Sequence, residues 1–264
     1  MSISPLTTNA PPLISIITST YNAEKHLPDL IGSLRSQERT GIEWIIVDGG
    51  SQDNTVALVE DACDVVHKLI SEPDRGIYDA WNKGIMAAKG TWIAFIGADD
   101  YYLPDSLDIC CKEASSVSDD VNMIVGTIHW IDEPDNRIVR TVSTPWDWQK
   151  MQQRMTIGHP GSLHHRTLFD RFGMFDASLR SAADYDFLLR AGPHIRASFI
   201  PIPLARVRIG GASQSPLALR EAQLVRRRNL KISNFQAGLA YSIAWIKLAV
   251  RSRIERFKSM LFSG

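Results

Sequence analysis

The stretch from Trp92 to Asp100 restricts this chain more than any other: it reads Trp-Ile-Ala-Phe-Ile-Gly-Ala-Asp-Asp, an apolar run that ends abruptly in two adjacent acids. A short run with almost no polar position has no face to give to water, so it reads as a strand buried on both sides of an α/β sheet, opening at Gly97. Ligands of open α/β sheets collect at the carboxyl ends of the strands. Two carboxylates at the mouth of a buried strand repel each other and lose hydration, so a cation should offset them. A divalent ion that takes carboxylate oxygens together with phosphate oxygens meets that need. The competing reading makes Asp99 and Asp100 exposed turn acids ahead of the helix expected after Pro104.

The preceding residues supply the rest of the sheet. Leu13 to Thr18 is β-branched and apolar and ends in Ser19-Thr20-Tyr21-Asn22, after which Leu27, Leu30, Ile31 and Leu34 recur at helical spacing. Trp44 to Val47 repeats the pattern and ends at Asp48-Gly49-Gly50-Ser51, with Asp53 placed to cap a helix that carries Val56 and Val59 inward. A third strand is expected at Val65 to Ile70. A polar loop, Ser71 to Gly76, then leads to a helix with Trp81, Ile85 and Ala88 on one face that stops at Gly90. This rhythm brings the strand ends at Ser19 to Asn22, Asp48 and Asp99-Asp100 to one side, around a nucleotide-sized cleft.

Beyond Pro104 the pattern predicts a helix to about Ser116, a strand from Met123 to Ile131 and an antiparallel partner from Ile138 to Val142 across the turn Asp132 to Asn136. Helices are expected from Trp146 to Met155, around Thr167 to Phe172 with Gly173 closing it, and from Ala183 to Arg190 ahead of Gly192. A strand from Ala197 to Ile202 follows. This half should form the other wall of the cleft.

With 264 residues and 44% hydrophobic side chains, the chain can build one large domain with an appendage. Its zero net charge hides an asymmetry: from Ala205 onward there are 12 Lys and Arg against 2 Asp and Glu, and before it 17 against 27. Cys63, Cys110 and Cys111 are odd in number and two are neighbours, which supplies no disulfide framework and suits a reducing compartment. Met1 to Pro12 lacks the basic and apolar regions of a leader, and no stretch of 18 apolar residues exists, so a cytoplasmic location is expected. No nucleic-acid partner is expected.

In the tail, Leu239, Ile243, Ile246, Val250, Ile254, Phe257 and Leu261 fall on one helical stripe flanked by Lys247, Arg253 and Lys258. Such a helix suits an anionic membrane surface, placing the protein peripherally at the inner face of the cell membrane. Packing on the body or on a second copy of the chain, as a homodimer, accounts for the same stripe.

Five motifs stand in order along the body: Ile-Ser-Ile-Ile-Thr-Ser-Thr-Tyr-Asn, Ile-Ile-Val-Asp-Gly-Gly-Ser-Gln-Asp-Asn-Thr, Asp-Ala-Trp-Asn-Lys-Gly-Ile, Gly-Ala-Asp-Asp and Ala-Asp-Tyr-Asp-Phe-Leu-Leu-Arg. Together they resemble the family 2 glycosyltransferases, inverting sugar transferases of the GT-A fold, from about Pro12 to Ile209. The resemblance implies an α/β fold with a mostly parallel, Rossmann-like sheet flanked by helices, followed by a C-terminal amphipathic helical tail. It divides the chain into a disordered N-terminus (1–11), a catalytic domain (12–209) and a basic helical tail (210–264). Within the domain, 12–103 would form the nucleotide-sugar half and 104–209 the acceptor half.

The resemblance also implies roles. Ser19 and Tyr21 would face the nucleotide base, Asp48 would accept hydrogen bonds from the base or ribose, and Arg75 would hold a diphosphate oxygen. The competing readings are a turn residue for Asp48 and an exposed loop arginine for Arg75. Asp99 and Asp100 match the family's metal motif, with Gly97 in place of a further carboxylate; Asp100 is assigned to Mn2+ or Mg2+ and Asp99 to the ribose, sugar or metal shell. Asp184 matches the base that deprotonates the acceptor hydroxyl. Ala183 replaces an acidic neighbour, and losing that like charge should make Asp184 easier to ionise. Asp186 is the alternative base.

His159 would lie near the acceptor or the sugar diphosphate, with His164 and His165 structural; their spacing is not a zinc pattern. Trp146 and Trp148 would stack on a sugar ring or pack in the core. The implied activity is metal-dependent transfer of a sugar from a nucleotide diphosphate sugar to an acceptor hydroxyl, on a glycan or lipid-linked acceptor of cell-surface polysaccharide or glycolipid synthesis. Two other readings stay open. A nucleotidyltransferase would need a Gly-rich, basic loop where Ser-Thr-Tyr-Asn stands. A non-catalytic nucleotide-sugar binding module would keep the fold without the chemistry.

Overall fold

The computed structural model describes residues 11–133, 135–210 and 215–230; the first ten residues and the apolar stripe from Leu239 to Leu261 lie outside these. The first half is a parallel sheet. Its strands β1 (Ile14–Thr20), β2 (Ile42–Asp48), β3 (Lys68–Ser71) and β4 (Trp92–Phe95) lie in the order β3-β2-β1-β4. They are joined by helices α1 (Leu27–Arg35), α2 (Thr55–Asp61) and α3 (Ile77–Ala87). Helix α1 buries Leu27, Leu30, Ile31 and Leu34, the four positions that recur at helical spacing in the sequence.

Both sheet faces are covered, which is why these strands are apolar at consecutive positions. Trp44 and Ile46 of β2 pack into one core with Leu27, Leu30 and Leu34, while Ile45 and Val47 pack into the other with Trp81, Phe95 and Phe187. Each side chain as fully buried as Trp44, Phe95 or Phe187 contributes about 1.5–3 kcal/mol relative to exposure. Helix α3 lies close on the sheet at Gly84, where a Cβ would stand 2.4 Å from Cγ2 of Ile17. Its entry is set by Gly76, whose φ of +121° suits glycine alone.

The second half contains β5 (Tyr101–Tyr102), α4 (Ser106–Ser116), β6 (Met123–Asp132), β7 (Arg137–Val142), α5 (Trp148–Met151) and β8 (Ser162–His165). After these come α6 (Arg166–Phe172), α7 (Ala183–Ala191), β9 (Ala197–Arg208) and α8 (Pro216–Leu230). It extends the sheet beyond β4 as β8-β6-β9-β5, with β7 on β6. Strand β8 is antiparallel to both β4 and β6, β9 is parallel to β6, and β5 and β7 are antiparallel to their partners. The sheet is therefore mixed, parallel throughout only in β3-β2-β1-β4.

Several boundaries differ from the sequence reading for local reasons. Strand β3 begins at Lys68, because Val65 and Val66 are buried in the turn that closes α2. Helix α5 covers only Trp148–Met151 of the Trp146 to Met155 expectation. Strand β9 runs past Ile202 to Arg208, absorbing Pro201 and Pro203 where its register against β6 shifts. Strands β5 and β8 escaped the pattern, one for its two-residue length and the other for its two histidines. The three cysteines are free.

Candidate active site

Because β1 to β4 run parallel, their carboxyl ends open on one edge. At that edge Ser19 is half-buried and Tyr21 is 66% exposed. Asn22 donates its amide to Ser51 Oγ and accepts from the amide of Gln52, tying the β1 loop to the β2 loop.

Asp48 is wholly buried where the strand ends meet. Its Oδ1 accepts from the Thr20 and Ser51 hydroxyls, and its Oδ2 accepts from the amides of Gly50 and Ser51 and from the Ser71 hydroxyl. Burial alone would push this carboxyl up, but the bonds from Ser51, Ser71 and Thr20 outweigh it and hold it below the usual range. Both oxygens are engaged in joining β1, β2 and β3 at the edge where the strand ends open. Arg75 has a side chain 79% exposed and paired with Asp79 at 2.9 Å, one helical turn away.

The acid pair at the end of β4 is unequal. Asp99 is half-buried, whereas Asp100 is buried, accepts the Arg208 amide at 3.1 Å through Oδ1, and donates its own amide to the Gly97 carbonyl. Burial and then the Asp99 charge push the Asp100 carboxyl well above the usual range, with Arg208 opposing them. The Arg208 guanidinium donates to the Asp99 carbonyl but pairs with Asp29 at 2.6 Å and Glu133 at 3.0 Å. At Gly97 a Cβ would meet Asp99 Oδ1 at 2.7 Å and Asp100 Oδ2 at 3.0 Å, so glycine lets both carboxylates fold over one peptide.

Among the described residues no group of three or more His, Cys, Asp or Glu side chains is arranged to hold a metal ion. The donor set is thus one accessible carboxylate with a buried neighbour. It fits a hard cation whose remaining ligands come from phosphate and water, and of the two acids Asp99 is the accessible one.

Asp184 stands in the first turn of α7, whose cap residue Ala182 offers no side-chain bond. Asp184 Oδ1 accepts from Tyr78 Oη at 3.0 Å and from the Tyr185 amide at 2.8 Å. Tyr78 lies in the first turn of α3, directly after the β3 loop, so Asp184 is held at the same sheet edge as Asp99. Burial raises the Asp184 carboxyl above its ordinary value and the Glu221 charge adds to this, while the two hydrogen bonds oppose it. Ala183 adds no like charge beside Asp184, and the upward direction comes from burial first. The Tyr78 hydroxyl is itself pushed well up by burial and by Asp184, so it stays a proton donor.

Asp186 occupies the opposite situation. Fully buried, it is paired with Arg190 at 2.9 Å and Arg228 at 2.6 Å, and takes a third bond from Asn229. Its oxygens are committed to fastening α8 onto α7.

His159 is 5% exposed, with Trp81 and Phe95 stacked on it at 5.2 Å each; neither ring nitrogen has a partner, and burial lowers it to about 3. It is a neutral member of the aromatic core. His164 is likewise buried, and His165 caps α6 by accepting the Thr167 amide. Trp146 stacks on Trp148 at 6.5 Å, and both pack against the second core. Sequence reasoning passed over Tyr78 and Glu221. Each had a signal: Tyr78 is a polar tip at the start of an apolar helix face, and Glu221 is one of two acids in the basic tail.

The mixed sheet flanked by helices is an α/β fold of the GT-A type. The chain belongs to glycosyl transferase family 2, whose sequence model matches residues 15–178. It is 31% identical over 191 residues to a "PGL/p-HBAD biosynthesis glycosyltransferase" of Mycobacterium bovis BCG, covering 69% of this chain and 70% of that one. S. aureus TarS 1-349 in complex with UDP-GlcNAc shares the fold, with a TM-score of 0.67 at 18% identity over 86% of this chain and 70% of the other. A mannosyltransferase of Pyrobaculum calidifontis in complex with GDP-Man and Mn2+ shares it over 96% of this chain and 81% of that one, with a TM-score of 0.60 at 18% identity.

Proposed function

We propose that this glycosyltransferase moves a sugar, with inversion, from a nucleotide diphosphate sugar to an acceptor hydroxyl. Asp184 is the base, and Asp99 with Asp100 holds a Mn2+ or Mg2+ ion. The observation that carries the reading is the Tyr78–Asp184 bond, which fixes a partly desolvated carboxylate at the sheet edge where the β4 acids open. In this reading Asp184 accepts the proton of the acceptor hydroxyl as its oxygen bonds to the anomeric carbon. The bond from that carbon to the diphosphate oxygen breaks on the opposite face, with the electron pair leaving on the phosphate. When bound, the divalent ion supplies positive charge to the departing diphosphate. Tyr78 keeps Asp184 ionised and aimed, and Ser19 and the exposed Tyr21 supply polar and aromatic contacts for the nucleotide.

UDP-, UDP-GlcNAc- and GDP-Man-bound neighbours favour a nucleotide diphosphate sugar as donor. We assign the catalytic unit to 12–209, with 12–103 on the donor side and 104–209 on the acceptor side. Among the described residues no helix is long and apolar enough to cross a membrane. Peripheral attachment would rest on the residues beyond α8, because α8 itself spends Arg226 and Arg228 on contacts with the body. Incubation with a panel of UDP- and GDP-sugars, with Mn2+ or with EDTA, tests the proposal. Metal-dependent release of nucleoside diphosphate is expected, and no release with any donor would reject it.

A further inference from the structure

Helix α7 begins with an unusual cap. Glu221, nearly buried on α8, turns its carboxylate onto three consecutive backbone amides that lead into α7. Oε1 accepts from Arg180 at 2.9 Å, and Oε2 accepts from Ser181 at 2.7 Å and from Ala182 and Arg180 at 3.1 Å each. Successive amides converging on one anion form a nest, and here the nest coincides with the positive end of a helix. Asp184 lies two residues past the last of these amides. Glu221 itself lies beyond the region that the family model matches.

We infer that Glu221 is a positioning residue for the transfer reaction: by holding the amides of Arg180, Ser181 and Ala182, it sets where the Asp184 carboxylate stands at the cleft. The inference rests on the reading of Asp184 as base. Three observations support it. Ala182 provides no cap of its own, so the segment's amides depend on a partner outside α7. The partner is charged, and a charge-assisted bond to several amides is stiffer than a neutral one. Helix α8 is itself clamped to the body through Arg228 to Asp176 and Asp186, Asn229 to Asp186, and Arg226 to the Gln152 carbonyl, so the carboxylate is delivered from a fixed platform.

The groups that face Asp184 are few. Tyr78 approaches from α3, the Tyr185 amide belongs to α7, and Glu221 comes from α8. Asp186, in the same first turn, is paired with Arg190 and Arg228. Removing the Glu221 charge therefore removes the one anionic influence on Asp184 that α8 supplies, and with it the grip on the segment that carries Asp184.

The test compares wild type, Glu221→Gln and Glu221→Asp in the full chain. The Asp184 titration is followed by carboxyl-carbon NMR, its resonance assigned by loss in Asp184→Asn. Glu221→Gln should lower the Asp184 midpoint by about half a unit. It should also lower kcat per folded enzyme about tenfold with KM for the donor within about twofold, because a displaced base loses reactive geometry before it loses binding. Glu221→Asp keeps the charge but shortens the reach, so the midpoint should stay while kcat falls. A purely structural role would change the yield of folded protein and leave the midpoint alone. An unchanged midpoint and kcat in Glu221→Gln overturns the inference. Should that variant fail to fold, Glu221→Asp decides, and wild-type kcat there overturns it. If Asp184→Asn still transfers sugar, the base reading fails; a shifted midpoint in Glu221→Gln then still shows that Glu221 acts on Asp184.

Discussion

Tyr78 Oη donates a 3.0 Å hydrogen bond to Asp184 Oδ1 across 106 residues of chain, joining the start of α3 to the start of α7. The bond opposes the burial that raises the Asp184 carboxyl. Tyr78→Phe removes it without changing the ring's packing against Trp81 and Phe175. The Asp184 value should then rise further, and the acid limb of kcat/KM should move to higher pH by about one unit. A pH profile of the variant measures this, and a limb that stays in place or moves down would contradict the geometry.

Asp184→Asn keeps the shape of the side chain and its ability to accept from Tyr78, but it cannot take a proton. Transfer should fall by at least about a hundredfold with donor binding close to wild type. Stability should move the other way. A carboxyl raised in the folded state contributes stability at low pH that is lost as pH rises through its folded value. The variant escapes that loss, so it should melt at the same or a higher temperature than wild type near neutral pH. In acid, below the ordinary aspartate value, the advantage should vanish. Melting curves across the range, read beside the transfer assay, separate a catalytic loss from an unfolded enzyme.

The unequal exposure of the β4 acids leads to a binding prediction. Asp99→Ala should lower the Mn2+-dependent affinity for UDP about tenfold, about 1.4 kcal/mol, by removing the accessible carboxylate. Asp48→Ala should cost stability instead, since it leaves the Thr20, Ser51 and Ser71 groups without their shared acceptor, and should keep the ratio of affinities with and without metal. Calorimetry in Mn2+ and in EDTA reads both. Equal wild-type affinity in the two buffers would remove the metal from the mechanism.

The legible parts of this molecule were those with local causes. Leu27, Leu30, Ile31 and Leu34 announce α1 by spacing, and the run Trp92 to Phe95 announces β4 by its lack of a polar face. The acid pair after β4 was visible for the same reason. What stayed hidden was set by distant partners. That Asp48 ties the strand ends through Thr20 and Ser71 could not be read in advance, because only the sheet brings those residues together. His159 lies among polar and small neighbours in sequence, and only the fold brings the rings of Trp81 and Phe95 against it. The burial that raises the Asp184 carboxyl was hidden because sequence supplies the neighbouring charges but not the surroundings that the fold packs around it.

Asp186 and Asp184 are two residues apart and resemble each other in sequence, yet their surroundings assign them different work. Asp186 joins Arg190 on its own helix to Arg228 on α8, and Asn229 completes the set. Asp186→Asn would leave Arg190 without a carboxylate and Arg228 with Asp176 alone. Breaking such a buried pair costs about 3–5 kcal/mol. Here the Arg228 side chain is 46% exposed, so water offsets part of the loss and about 2–3 kcal/mol is expected. The loss should appear as a lower denaturation midpoint and as faster amide exchange in α8. Transfer per folded molecule should stay within about threefold of wild type, because the Tyr78–Asp184 bond is untouched. If Asp186→Asn instead abolishes transfer while the protein remains folded, the proton acceptor is Asp186, and the roles of the two aspartates exchange.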